Sequence, residues 1–124
     1  MSSLNLPLEI ATANSKRSKE LLEVASKIAE SLSNSFPIET VFVFGSVARG
    51  TATRHSDIDM IVVMSTTEEQ KNRTTLLLPY LDSVDVGVDL FVLTPEEWRE
   101  WKEKPNRAQQ KVLEEGVIVY GLRK

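Results

Sequence analysis

Leu21, Val24, Ala25, Ile28 and Leu32 recur at spacings of three and four, with Lys and Glu between them. That period predicts an amphipathic helix opening near Ser15 and ending before Asn34-Ser35-Phe36-Pro37. Val41 to Phe44 is a continuous apolar run, which predicts a strand buried on both faces. Gly45-Ser46 interrupts it and can open a short helix. Ile58 to Met64 predicts a second buried strand. Thr66 and Glu69 match a capping box for a helix that Pro79 stops near Leu78. Val84 to Leu93 alternates as a third strand. Thr94-Pro95-Glu96-Glu97 is a second capping signal, with Pro in the favoured first position. Trp98 and Trp101 on that helix are spaced to pack on a sheet. Asn106 and Gln109 cap a further short helix ending at Gly116, and Val117 to Tyr120 is a final strand. The order α, β, α, β, α, β, α, α, β predicts an α/β (α+β) domain around one sheet of about four strands. Residues 1–14 show no pattern and read as an arm; residues 15–124 read as one domain.

The polar exceptions to this pattern carry the chemistry. Asp57 and Asp59 head a buried strand, two residues apart, so both point to one face with Cα atoms roughly 7 Å apart. On the third strand, Asp85, Gly87, Asp89, Phe91 and Leu93 share a face opposite the valines. If the second and third strands are neighbours, Asp89 can converge on Asp57 and Asp59, with Asp85 as a rival nearer the strand entrance. Two such charges repel by roughly 2–3 kcal/mol at an effective dielectric near 20. Either they take up protons or a cation sits among them. Three aspartates can clamp metal ions for phosphoryl or nucleotidyl transfer, and one can take the attacking hydroxyl's proton. A lone Asp at a strand edge is more simply a turn residue.

Composition narrows the cation. The chain of 124 residues has no Cys and one His, His55. That excludes disulfides, thiolate zinc sites and multi-His sites. Oxygen ligands favour Mg2+, with Mn2+ also suited. The absence of Cys is compatible with a reducing, cytoplasmic setting. No secretory signal and no membrane-length apolar run is seen. The formal charge of -3 argues against a surface for long nucleic acid.

Gly45-Ser46 gives the opposite charge a place to bind. A helix opening there presents free backbone N–H groups to phosphate, and Gly lets the phosphate approach the backbone. The Ser46 hydroxyl adds a donor, and Arg49 one turn on reaches toward the same phosphates. Alone, Gly-Ser is an ordinary turn and Arg49 an ordinary surface residue. His55 and Arg54 read as loop residues at the strand entrance.

Gly45-Ser46, ten residues, then Asp57-Ile58-Asp59 resembles the signature of the DNA polymerase beta-like nucleotidyltransferase superfamily. The stretch Gly45-Ser46-Val47-Ala48-Arg49-Gly50 with His55-Ser56-Asp57-Ile58-Asp59 is similar to its minimal nucleotidyltransferase (MNT) branch. Val88-Asp89-Leu90-Phe91-Val92-Leu93-Thr94 resembles the branch's third-carboxylate strand, which selects Asp89 over Asp85. Glu114 to Tyr120 is similar to its last strand. The resemblance spans roughly Ser15 to Gly121. It implies the nucleotidyltransferase fold and transfer of a nucleoside monophosphate, AMP from ATP, to an acceptor hydroxyl. Gly45 and Ser46 would hold the triphosphate, with Arg49 as an added phosphate contact. Asp57, Asp59 and Asp89 would be catalytic and bind the metal. Many stand-alone members are antitoxins that attach AMP to a tyrosine of a HEPN-domain toxin. Larger relatives, such as aminoglycoside nucleotidyltransferases, carry a second domain to position their acceptor. A separate protein acceptor is therefore expected here. A vestigial binding module that neutralises a partner by contact and a small-molecule nucleotidyltransferase are the alternatives.

Overall fold

The computed structural model describes residues 8–121. Helix α1 runs Leu8–Ser33 and buries Leu21, Ala25, Ile28, Ala29 and Leu32. It begins well before Ser15, so residues 8–14 are helical rather than an arm; residues 1–7 lie outside the described residues. Leu8, Ile10 and Ala13 are exposed, so no apolar stripe marks this first stretch.

Strand β1 (Ile38–Phe44) leads directly into the short helix α2 (Gly45–Arg49), and β2 follows at Ile58–Met64. Helix α3 (Gln70–Leu77) passes into a 3-10 turn at Leu78–Leu81, where Pro79 stops it as expected. Then come β3 (Val88–Leu93), α4 (Pro95–Glu103), α5 (Arg107–Glu115) and β4 (Val117–Gly121). The mixed sheet has the order β3-β2-β1-β4. β1 is antiparallel to β2 and β4, while β2 and β3 are parallel.

Two further expectations are corrected. The third strand starts at Val88, not Val84. Its first ladder pair is Ile58 with Val88, and the chain before Ile58 is loop, so residues 84–87 have no strand to pair with. Val84 and Val86 still pack on the core, which explains the alternation. The Thr66–Glu69 capping box does not form. The Thr66 hydroxyl instead accepts from the Glu68 N–H, and the helix opens later, at Gln70, after a Glu69 whose side chain makes no cap. The boxes at Thr94/Glu97 and Asn106/Gln109 are both present.

The sheet divides two cores. Val41, Val43, Ile58, Met60 and Val62 face α1 and α2. Phe42, Ile61, Val63 and Leu93 face α4, where Trp98 is buried against Phe42 with ring centres 5.3 Å apart. Trp98 is therefore a packing residue, as its spacing predicts, and Trp101 packs beside it. β3 is an edge strand, and α3 covers its free side. Thr74 and Arg73 donate to the carbonyls of Leu90 and Val92, at 3.4 and 3.3 Å. Such cover protects an edge from adventitious pairing. No described helix is long and apolar enough to cross a membrane.

Candidate active site

The β1–β2–β3 register brings the acidic residues together. Phe44 pairs with Asp59 across β1 and β2, and Asp59 with Asp89 across β2 and β3. The two carboxylates therefore stand side by side on the α4 face, at the end of the sheet from which α2 springs. They are close enough to share a hydrogen bond. Burial pushes the Asp59 carboxyl above its ordinary value. The hydrogen bond to Asp89 and the repulsion of Asp89 and Asp57 push it the same way, and only Arg49 opposes them.

Asp57 sits just outside the ladder, exposed, with its carboxylate against the bare Cα of Gly87. A Cβ at Gly87 would overlap it. Asp57 thus takes space that only Gly leaves open, and it does not close a compact trio. Among the described residues, no three acidic or histidine side chains are gathered for a metal ion. The donor chemistry still suits Mg2+, because the site offers carboxylate oxygens alone and Asp59 and Asp89 already adjoin. Asp85 is exposed on the loop before β3 and outside the ladder, in keeping with its bland reading.

Gly45, at the tip of β1, lies against the Asp59 carboxylate. Its φ of 75° is in the left-handed region, and a Cβ there would overlap the Asp59 carboxylate. Glycine is needed twice over at this position. Ser46 is the second residue of α2, and its hydroxyl lies 3.4 Å from that of Ser56. Ser56 in turn accepts from the Thr53 N–H at 2.9 Å, and Ser18 of α1 accepts from the Ala52 N–H at 2.9 Å. These bonds fix the loop that carries Asp57. Arg49 is engaged by Glu115 of α5 at 3.1 Å. Ser56, Gly87 and Glu115 fall within the quoted stretches of the sequence without a role there, and Ser18 carries no mark in the pattern at all. Their only signal is spatial, since each partner is distant in the chain or is a backbone group. His55 and Arg54 are exposed loop residues.

The family described as "Polymerase beta, Nucleotidyltransferase" matches residues 26–124. The chain belongs to this family. As a nucleotidyltransferase, it is also similar in structure to a candidate nucleotidyltransferase of Sulfolobus solfataricus. The two share 27% identity over 88% of this chain and 85% of that one, with a TM-score of 0.59. A candidate minimal nucleotidyltransferase is 30% identical over 79% of this chain and 92% of its own, with a TM-score of 0.53. A chain from the crystal structure of a toxin–antitoxin with AMP-PNP is 26% identical, covering 78% and 73%, with a TM-score of 0.57. No curated protein matches.

Proposed function

We propose that this nucleotidyltransferase moves AMP from ATP to a hydroxyl of a partner protein, as the antitoxin of a toxin–antitoxin pair whose toxin is a HEPN-domain protein. The observation that carries the chemistry is the Asp59–Asp89 pair, lying in register and directly beneath Gly45. The likeness to a chain of a toxin–antitoxin structure with AMP-PNP supports the nucleotide and a toxin as the partner.

Gly45 and Ser46 bind the triphosphate through backbone N–H groups and the Ser46 hydroxyl, and Arg49 leaves Glu115 to meet its charge. Asp59 and Asp89 would hold Mg2+, with Asp57 beside them completing its ligands when it binds, and the ion would supply charge neutralisation at the phosphates. Asp89, the outermost of the pair on the edge strand, accepts the acceptor's proton. The acceptor oxygen forms its bond to the α-phosphorus. The bond from that phosphorus to the bridging oxygen breaks, and pyrophosphate leaves with the electron pair.

The test is transfer from α-labelled ATP with Mg2+, in host extract and with candidate toxins. The Asp57→Asn, Asp59→Asn double variant should lose transfer by about a thousandfold while keeping its fold. Label that the double variant attaches as fast as the wild type would end the catalytic reading. A partner that the double variant still silences would favour neutralisation by contact.

A further inference from the structure

A second recess lies on the α4 face, toward the end of β1 away from the carboxylates. It is a cleft of about 610 Å³ between α4, α5, β1 and β4, a size suited to a small ligand. Thr40, which borders it, precedes Phe44 by four residues, roughly 13 Å along the strand. None of Gly45, Ser46, Asp57, Asp59 and Asp89 borders it. Phe42, Trp98, Leu113 and Ile118 give it an apolar lining. Two features set it apart from a packing flaw. The first is polar groups without partners. Thr40 is 6% exposed and Trp98 5%. Yet neither the Thr40 hydroxyl nor the Trp98 indole N–H makes a hydrogen bond to another described residue, although both residues line the cleft. Buried groups of this kind find partners as a rule. The second feature is charge. Arg99 and Lys102 also line the cleft, and among the described residues neither is paired with a carboxylate. The Lys102 ammonium stands over the Trp98 ring, 5.6 Å from its centre. Glu39 is the acidic residue of the described lining, which leaves one positive charge in excess.

We infer that this cleft binds a small monoanion with an aromatic body, an aryl carboxylate, at a site separate from the transferase centre. Arg99, Lys102, the Thr40 hydroxyl and the Trp98 indole N–H can all donate. What the cleft lacks is an acceptor, and a carboxylate accepts from two or more such donors at once. The aromatic body leaves water for the apolar lining of Phe42, Leu113 and Ile118. A neutral ring of the same size would leave the cations without a counter-charge. A dianion would exceed the single positive charge in excess and meet Glu39. The inference stands apart from the transferase reading, since it draws on no residue that holds phosphate or metal.

The test uses three probes that share one ring. 3-Phenylpropionate, its uncharged amide and the dianion benzylmalonate are each titrated into the full chain, and the Trp98 indole N–H is followed by NMR. 3-Phenylpropionate should shift that resonance and bind about tenfold more tightly than the amide, as a charge-assisted hydrogen bond allows. It should also bind more tightly than benzylmalonate. The Arg99→Gln, Lys102→Gln variant changes exposed positions alone and should bind the acid and the amide alike. Thr40→Val keeps the side chain's outline and should weaken the acid about fivefold. ATP with Mg2+ should leave the acid in place. A Trp98 resonance that the acid does not move overturns the inference, as does equal binding of acid and amide to the wild type. Undiminished binding of the acid to the double variant does the same. Tighter binding of benzylmalonate would overturn the monoanion, and displacement of the acid by ATP would overturn a site separate from the transferase centre.

Discussion

Asp59 and Glu97 lie on the same side of one sheet, and their acidities move in opposite directions. Burial raises both carboxyls. For Glu97 this is outweighed. Arg73 donates to it at 2.6 Å, the Thr94 N–H donates at 2.9 Å, and the carboxyl ends below its ordinary value. For Asp59 the neighbours are Asp89 and Asp57, and the distant help of Arg49 does not reverse the trend. The closed end of this face joins its charges into the fold: Arg73 is buried and also bonds the backbone at Glu68 and Val92. The open end keeps like charges together at a cost to stability. Excess carboxylate beside a glycine turn is what a polyanion bound with a cation would relieve. Substitutions at the two ends should therefore divide stability from function.

The largest stability effect is expected at the closed end. Trp98→Ala removes a buried ring that packs on Phe42 and Trp101. It should cost about 3–5 kcal/mol in denaturant unfolding. Transfer per folded molecule should be unchanged, since Trp98 touches no site carboxylate. A loss of transfer beyond the loss of folded protein would show that α4 also shapes the open end.

Gly45→Ala puts the comparison under strain from the other side. Its φ of 75° costs a side chain about 1 kcal/mol, and the new Cβ must displace Asp59. Transfer should fall about a hundredfold, as for a reacting group misplaced by an ångström. Stability near wild type with transfer lost is the expected signature. Full transfer would mean that the Gly45–Asp59 contact is incidental.

Much of this division is legible in the chain. Alternation places Asp59 with Ile61 and Val63, and Asp89 with Phe91 and Leu93, on one face. The burial of Ile61, Val63 and Leu93 follows that reading. The spacing of Gly45-Ser46 and Asp57-Ile58-Asp59 marks the site because a strand, a turn and a strand must bring them together. Alternation cannot say where a face is covered. The reach of α4, which buries Leu93 and leaves Phe91 open, comes from tertiary packing. Nor does it mark a ladder's end. Val84 and Val86 alternate as a strand does, yet they lie beyond the start of β2 and pair with nothing in the sheet. The Asp57–Gly87 contact and the Arg49–Glu115 pair join residues 30 and 66 positions apart, and neither side signals the other locally.

The smallest effect concerns pH, and its sign separates Asp59 from an ordinary salt-bridged carboxylate. The Asp59 carboxyl is raised from 3.8 by burial first and by Asp89 second. Between 3.8 and its raised value, the folded chain holds a proton that the unfolded chain has lost. Stability therefore falls as pH rises through that window and stays lower above it. Asp59→Asn keeps the shape and removes the charge. With metal chelated, the variant should melt above the wild type at pH 7. The gap should close as the pH is taken down to 3.8 and below, where Asp59 is protonated in both states. Solvent at this half-exposed site limits the size of the gap. A gap unchanged at low pH would assign the stabilisation to something other than charge. A variant that melts below the wild type at pH 7 would mean that Asp59 contributes bonds outweighing its repulsion, and the open end would then resemble the closed one.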